Sequence, residues 1–186
     1  MEDVGAGQFE ELLAGTLRND PRAAEELFRR FHPPLLRYLR ARETHHAEDL
    51  AGDVWLAVAA HLDGFEGDER AFRAWLFTLA RNVVTGHRRK GLRRRTDLAA
   101  TETFELRPTD AETDGEAIES VAAAEAIVLL ERHLTRTQAE VVRLRVIAGL
   151  SATEVAEILD RPETWVRVTQ HRALQRLAKR LPGRTV

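Results

Sequence analysis

Apolar residues recur along this chain at helical spacing, and the breaks between the recurring runs divide it into short elements. Phe9, Leu12, Leu13 and Leu17 share one helical face. Asn19-Asp20-Pro21 stops that helix and starts another, with Asp20 as N-cap and Pro21 at the first helical position. Leu27, Phe28 and Phe31 carry the second helix until Pro33-Pro34, where an interruption is expected, and Leu35, Leu36, Tyr38 and Leu39 continue an apolar face. From 47 to 62, Leu50, Val54, Trp55 and Val58 fall on one side of a third helix. A loop, 63–68, sets Phe65 between two glycines, either tucked into the core or held out for a ligand. Phe72, Trp75, Leu76, Leu79 and Val83 then form the stripe of a fourth helix.

The pattern lapses between 96 and 119, where eight acids face a single arginine, Arg107, among Pro108 and Gly115. Such a stretch buries too little to pack and reads as a flexible acidic linker. Its reach is roughly 25 to 30 Å on average. Beyond it, Val121, Ala124, Val128 and Leu129 predict a buried helix ending near Leu134. Thr135 to Gln138 and Ser151 to Glu154 each have capping-box spacing, and each opens an apolar run. Asp160-Arg161-Pro162 breaks the chain before a longer helix carrying Val166, Ala173, Leu174, Leu177 and Leu181 inward. Short helix, tight turn and longer helix follow the helix-turn-helix plan, with a bare helical hairpin as the alternative. The fold class is therefore all-α. Two small helical domains, 1–95 and 120–186, flank the linker, and the second carries the helix-turn-helix.

Composition changes this picture mainly through charge. The net charge is only -2, yet eight acids from Glu43 to Glu69 precede a run of cations after which no acid follows until the linker. Arg73, Arg81, Arg88, Arg89, Lys90, Arg93, Arg94 and Arg95 give the fourth helix a basic face and tail suited to a polyanion, or simply a solvated surface. The outward positions of the last helix include Arg167, Val168, His171 and Arg172, a face able to enter a major groove. With no cysteine there is no disulfide, thiolate nucleophile or Cys-ligated zinc. The adjacent His45 and His46 lack the i, i+4 spacing of metal ligands, and no metal site or cofactor is expected. No phosphate loop or nucleophile triad is present, so an enzyme is not expected. Nor does the chain carry an apolar run of membrane-spanning length or a signal-peptide start, which suits the cytoplasm.

Taken in order, LFRRFHPPLLRYLRAR (27–42), AEDLAGDVWLAV (47–58), FRAWLFTLARNVVTGHRRK (72–90), LSATEVAEIL and VRVTQHRALQRL resemble the extracytoplasmic-function sigma factors of bacterial RNA polymerase. That resemblance implies a transcription initiation factor that docks on core polymerase and directs it to promoters. It places polymerase docking, on the clamp helices of the largest subunit, at Asp49, Leu50, Asp53 and Trp55. It makes Phe65 a wall of a pocket for a flipped base of the minus-ten element, with Asn82 on the same single strand and Arg88, Arg89 and Lys90 on its phosphates. It gives reading of the minus-thirty-five element, next to the polymerase flap, to Arg167, Val168, His171 and Arg172. Gly52 and Gly86 depart from the polar residues usual at those positions. Promoter DNA and an anti-sigma factor are the further partners implied, with a monomer as the free form. The competing readings are a stand-alone helix-turn-helix regulator independent of polymerase and a helical protein-interaction adaptor.

Overall fold

The computed structural model describes residues 3–98, 130 and 132–180, with the backbone alone for 3–6 and 92–98. Most of the linker and of the helix expected before Leu134 therefore lies outside the described residues, as do the side chains of Arg93, Arg94 and Arg95. The first domain is built from α1 (Asp3–Leu17), α2 (Pro21–Arg40), α3 (Ala47–His61) and α4 (Glu69–Leu98). Asp20 caps α2 as expected, its Oδ1 accepting from Arg22 N at 3.0 Å.

Pro33 and Pro34 do not interrupt α2. The helix runs through both, although each removes a backbone donor. Leu27, Phe31, Leu35, Tyr38 and Leu39 are all buried along its length, and that continuous apolar contact outweighs the two lost hydrogen bonds. On α4 the most buried line is Phe72, Leu76, Phe77, Ala80 and Val84, so Trp75, Leu79 and Val83 flank the core rather than centre it.

In the second domain α5 (Arg136–Val142) leads directly into a π turn, Arg143–Ile147, followed by α6 (Ala152–Leu159) and α7 (Glu163–Ala178). Both capping boxes form, with Gln138 N to Thr135 Oγ1 and Glu154 N to Ser151 Oγ each at 3.2 Å. Gly149 ends the π turn at φ 75°, a backbone conformation that costs glycine little. Leu174, expected inside, is 43% exposed, and Val166 and Ala173 carry the buried side of α7.

The two domains pack together. Val141, Leu144, Leu150, Val155, Ile158 and Val166 are buried in the same apolar cluster as the first domain's core. The basic face of α4, read from sequence as unanswered by acid, finds its acids in the second domain. Arg70 pairs with Glu157 at 2.6 Å and Arg73 with Glu154 at 3.2 Å. Arg81 pairs with Glu140 at 3.2 Å and donates to the Ile158 carbonyl at 2.6 Å. Glu140 is the hub. It also accepts from Tyr38 Oη at 2.8 Å and pairs with Arg42, and its own side chain is only 10% exposed. Burial first, and the Glu140 charge second, push the Tyr38 phenol far above its ordinary pKa, so it remains a donor. The π turn completes the seam: Arg143 Nε donates to the Ala41 carbonyl at 2.7 Å, and the Ile147 carbonyl accepts from Arg37 at 3.3 Å.

Candidate nucleic-acid and polymerase interface

The loop before α4 is shaped by Gly67, whose φ of 149° is unfavourable for side-chain-bearing residues. A Cβ there would stand 2.8 Å from Ala71 Cβ and 3.2 Å from the Phe65 ring. Its absence lets Phe65 fold back onto α4, edge-on to Phe72 at 5.5 Å and tilted against Trp75 at 5.2 Å. The alternatives left open for Phe65 are both partly met, since it packs on the core and still lines an open cavity. That cavity, about 570 Å³, is bounded by Ala60, His61, Asp63, Gly64, Phe65, Glu66 and Trp75. Aromatic walls with polar groups at the rim can stack and orient a planar base. Trp75 was assigned from sequence to the core stripe alone. Its spacing of three from Phe72, against four for Leu76, is the signal that it sits off the most buried line.

Asn82 lies two turns beyond Trp75, about 10 Å along the axis. It is exposed and makes no side-chain hydrogen bond among the described residues. Arg89 and Lys90 are likewise exposed and without a carboxylate partner among the described residues. Arg88 differs: it pairs with Glu43 and donates to the Arg42 carbonyl at 2.9 Å.

On α3, Asp49, Gly52, Asp53 and Leu56 are all exposed and recur at helical spacing, forming one stripe. Leu56, at 71% exposure, is the apolar member that sequence patterning did not single out. Leu50 is the reverse case, placed by resemblance at a docking surface but only 2% exposed. It anchors α3 from within rather than presenting itself to a partner. Trp55 is half-buried. Its Nε1–H donates to His32 Nδ1 at 3.2 Å, and Phe28 stacks on His32 at 4.3 Å. Burial, then the nearby Arg40 charge, lower the His32 pKa and keep the ring neutral as an acceptor.

The turn between α6 and α7 is made by Asp160 at φ 50° and ψ 57°, a left-handed residue closing α6 where glycine would be easiest. Arg161 N completes it by donating to the Ala156 carbonyl at 3.0 Å. The helices are tied again by Thr153 Oγ1 donating to Glu163 at 3.1 Å. Hydrogen bonds from Arg167 first and Thr153 second hold the Glu163 carboxyl below its usual pKa. Arg167, Val168, His171 and Arg172 are all exposed on the outer face of α7, as the helix-turn-helix reading requires. Gln170 accepts from Arg145 Nε at 2.9 Å and so ties α7 to the π turn.

Among the described residues there is no cluster of His, Asp or Glu able to hold a metal ion, and no helix long and apolar enough to cross a membrane.

Comparison with known proteins places both halves. Sigma-70 region 2 matches residues 27–95 and sigma-70 region 4 matches residues 132–179. The ECF RNA polymerase sigma factor ShbA of Streptomyces griseus is 35% identical over 175 residues, 89% of this chain and 91% of ShbA. The ECF sigma factor SigD of Mycobacterium tuberculosis is 34% identical over 178 residues, 91% of this chain and 82% of SigD. The fold is shared with CnrH, solved in complex with the cytosolic domain of CnrY, at a TM-score of 0.67 and 24% identity over 95% of this chain and 99% of that one. It is also shared with the sigma factor RpoE, solved with the anti-sigma factor NepR from Bartonella quintana, at a TM-score of 0.61 and 24% identity over 83% and 94% of the two chains. With both regions in order and relatives of 34% and 35% identity matched over most of their length, the chain belongs to the ECF RNA polymerase sigma factors.

Proposed function

We propose that this chain works as a cytoplasmic, non-enzymatic promoter-specificity subunit with its labour divided between three surfaces. Asp49, Asp53 and Leu56 meet the polymerase, with Trp55 and Leu50 fixing the helix that presents them. The cavity beside Phe65 and Trp75 takes an extruded minus-ten base, Asn82 contacts the same strand, and Arg88, Arg89 and Lys90 hold its phosphates. Arg167, Val168, His171 and Arg172 read the minus-thirty-five element. The domains carrying these roles are 1–95 and 120–186, with 96–119 as tether, its first three residues still in α4. The observation that carries the reading is the open aromatic cavity. Extruding a base costs a few kcal/mol of stacking, and a preformed aromatic wall, with cations further along α4 for the strand's phosphates, returns that energy while the polymerase holds the duplex.

An anti-sigma factor is the natural inhibitor of such a subunit, as NepR is found on RpoE. Reconstitution with bacterial core polymerase tests the function directly. Defined transcripts from a cognate promoter are expected only with both components present. Tight, promoter-specific duplex binding by the free chain, unaltered by core, would instead establish the stand-alone regulator.

A further inference from the structure

The seam between the domains opens on one side into a cleft of about 530 Å³ whose charge is markedly unbalanced. The first domain contributes Arg42, Arg81, Arg88 and Arg89 to its lining, and the second contributes Arg136, Arg143 and Arg161. Against these arginines the lining holds one carboxylate, Glu140. That carboxylate is already shared by Arg42, Arg81 and Tyr38. Arg88 is held by Glu43. Arg89, Arg136 and Arg161 have no carboxylate partner among the described residues. Arg42, although largely buried, leaves its Nε–H without an acceptor. Gathering like charges in a partly sheltered cleft opposes domain packing, and an unmet buried donor adds to the cost. A bound polyanion relieves the crowding of like charge.

We propose that this interdomain cleft binds an oligophosphate chain, free or carried on a nucleoside, and that the ligand holds the two domains together. Guanidinium forks match phosphate oxygens in bidentate geometry, and donors converging from both walls suit several linked phosphates better than a single one. The volume falls in the range of small-molecule sites. Trp165, half-buried in the lining beneath the Arg161 guanidinium at 5.8 Å, offers a face against which a nucleobase can pack. Occupancy also has a consequence for promoter binding. Arg88 and Arg89, proposed above for promoter phosphates, would be engaged with the ligand, so binding it and binding DNA compete. Only that consequence rests on the proposed function; the site itself does not.

The test uses the full chain without DNA, polymerase or divalent cations, at physiological ionic strength. Calorimetry with inorganic tripolyphosphate and, separately, with adenosine triphosphate is expected to show one ligand per chain. Binding of tripolyphosphate assigns the site to the phosphate chain itself. Binding of the nucleotide alone assigns it to the nucleoside-borne form. Arg136→Ala combined with Arg161→Ala should weaken binding at least tenfold, and so should Arg89→Ala from the opposite wall with Arg136→Ala. Arg18→Ala with Arg22→Ala, which removes the same charge from the exposed α1–α2 junction, should leave it unchanged. Circular dichroism of each variant separates lost binding from lost folding. No binding of either ligand, several ligands per chain, equal losses in the junction control, or equal binding of an oligo-aspartate peptide would each overturn the proposal.

Discussion

Arg167 sits on α7 with 68% of its side chain exposed, held among the described residues only by Glu163 one turn earlier, at 2.8 Å from Nε. An exposed pair of this kind contributes little to stability, so its loss should be visible in recognition alone. Arg167→Ala is expected to lose about 1 to 3 kcal/mol of discrimination at one minus-thirty-five position, measured by transcription from promoters substituted base by base. An unchanged preference would remove it from the reading face. Trp75 gives the complementary case at the other element. Trp75→Ala should impair promoter opening, followed by permanganate reactivity, while binding at the minus-thirty-five element persists. His32 makes a third residue testable through pH. Its folded pKa lies below the unfolded value of 6.5, so below that pH the unfolded chain takes up more protons. Stability is therefore complete above about pH 6.5 and declines as pH falls from there toward the lowered folded pKa. Thermal melts should show this component in the wild type and lose it in His32→Gln. These residues also mark how far the sequence could be read. The α7 face was legible because exposure on a helix follows from spacing. The roles of Leu50 and Trp75 were not, since a shift of one position on a helix turns a side chain by about 100°. Patterning cannot resolve core from rim at that precision.

Whole elements were legible wherever local chemistry decided them. The two capping boxes, the Asp20 cap and the helix-turn-helix each follow from side chains bonding backbone within a few residues, information contained in any short window of sequence. The double proline of α2 was misjudged because its local cost is offset by burial along the rest of the helix, a tertiary effect. The π turn was invisible for a similar reason. Its carbonyl and Arg143 meet α2 across the domain seam, and nothing local announces it. The seam itself yields a prediction for α5. Glu140→Gln removes the charge that compensates Arg42 and Arg81, and breaking a buried pair in this way costs about 3 to 5 kcal/mol when the partner charge stays buried. Here the chain has an escape, because undocking α5 returns both arginines to water. The variant is thus expected to keep its helix content by circular dichroism while its radius of gyration rises in solution scattering. A wild-type radius in Glu140→Gln would show that the apolar seam, rather than this charge, holds the domains.

At the scale of the molecule, the packed arrangement and the proposed work of the chain make opposing demands. Arg73 and Arg81, on the α4 face whose charge suits a polyanion, are occupied by Glu154 and Glu140 of the second domain. The two promoter elements, meanwhile, lie roughly 50 Å apart, one and a half duplex turns. The part of the proposed tether beyond α4, residues 99–119, would span about 70 Å at full extension and so permit the domains to part and reach both. Such a tether also keeps the second domain at high effective concentration once the first is bound. The packed form is therefore expected to be the resting state and to open on the polymerase. Because the chain has no cysteine, this can be tested with a single engineered pair. Arg70 and Glu157, joined across the seam at 2.6 Å, are exposed enough to be replaced by cysteines and bridged with a short, thiol-cleavable bismaleimide. Bridging should be efficient in the free protein and fall when core polymerase is added first. The bridged chain should fail to initiate from its promoter, the unbridged double variant should initiate, and cleaving the bridge should restore activity. Full activity of the bridged chain would mean that the domains work without separating at this seam, and that the span between promoter elements is covered by bending the DNA instead.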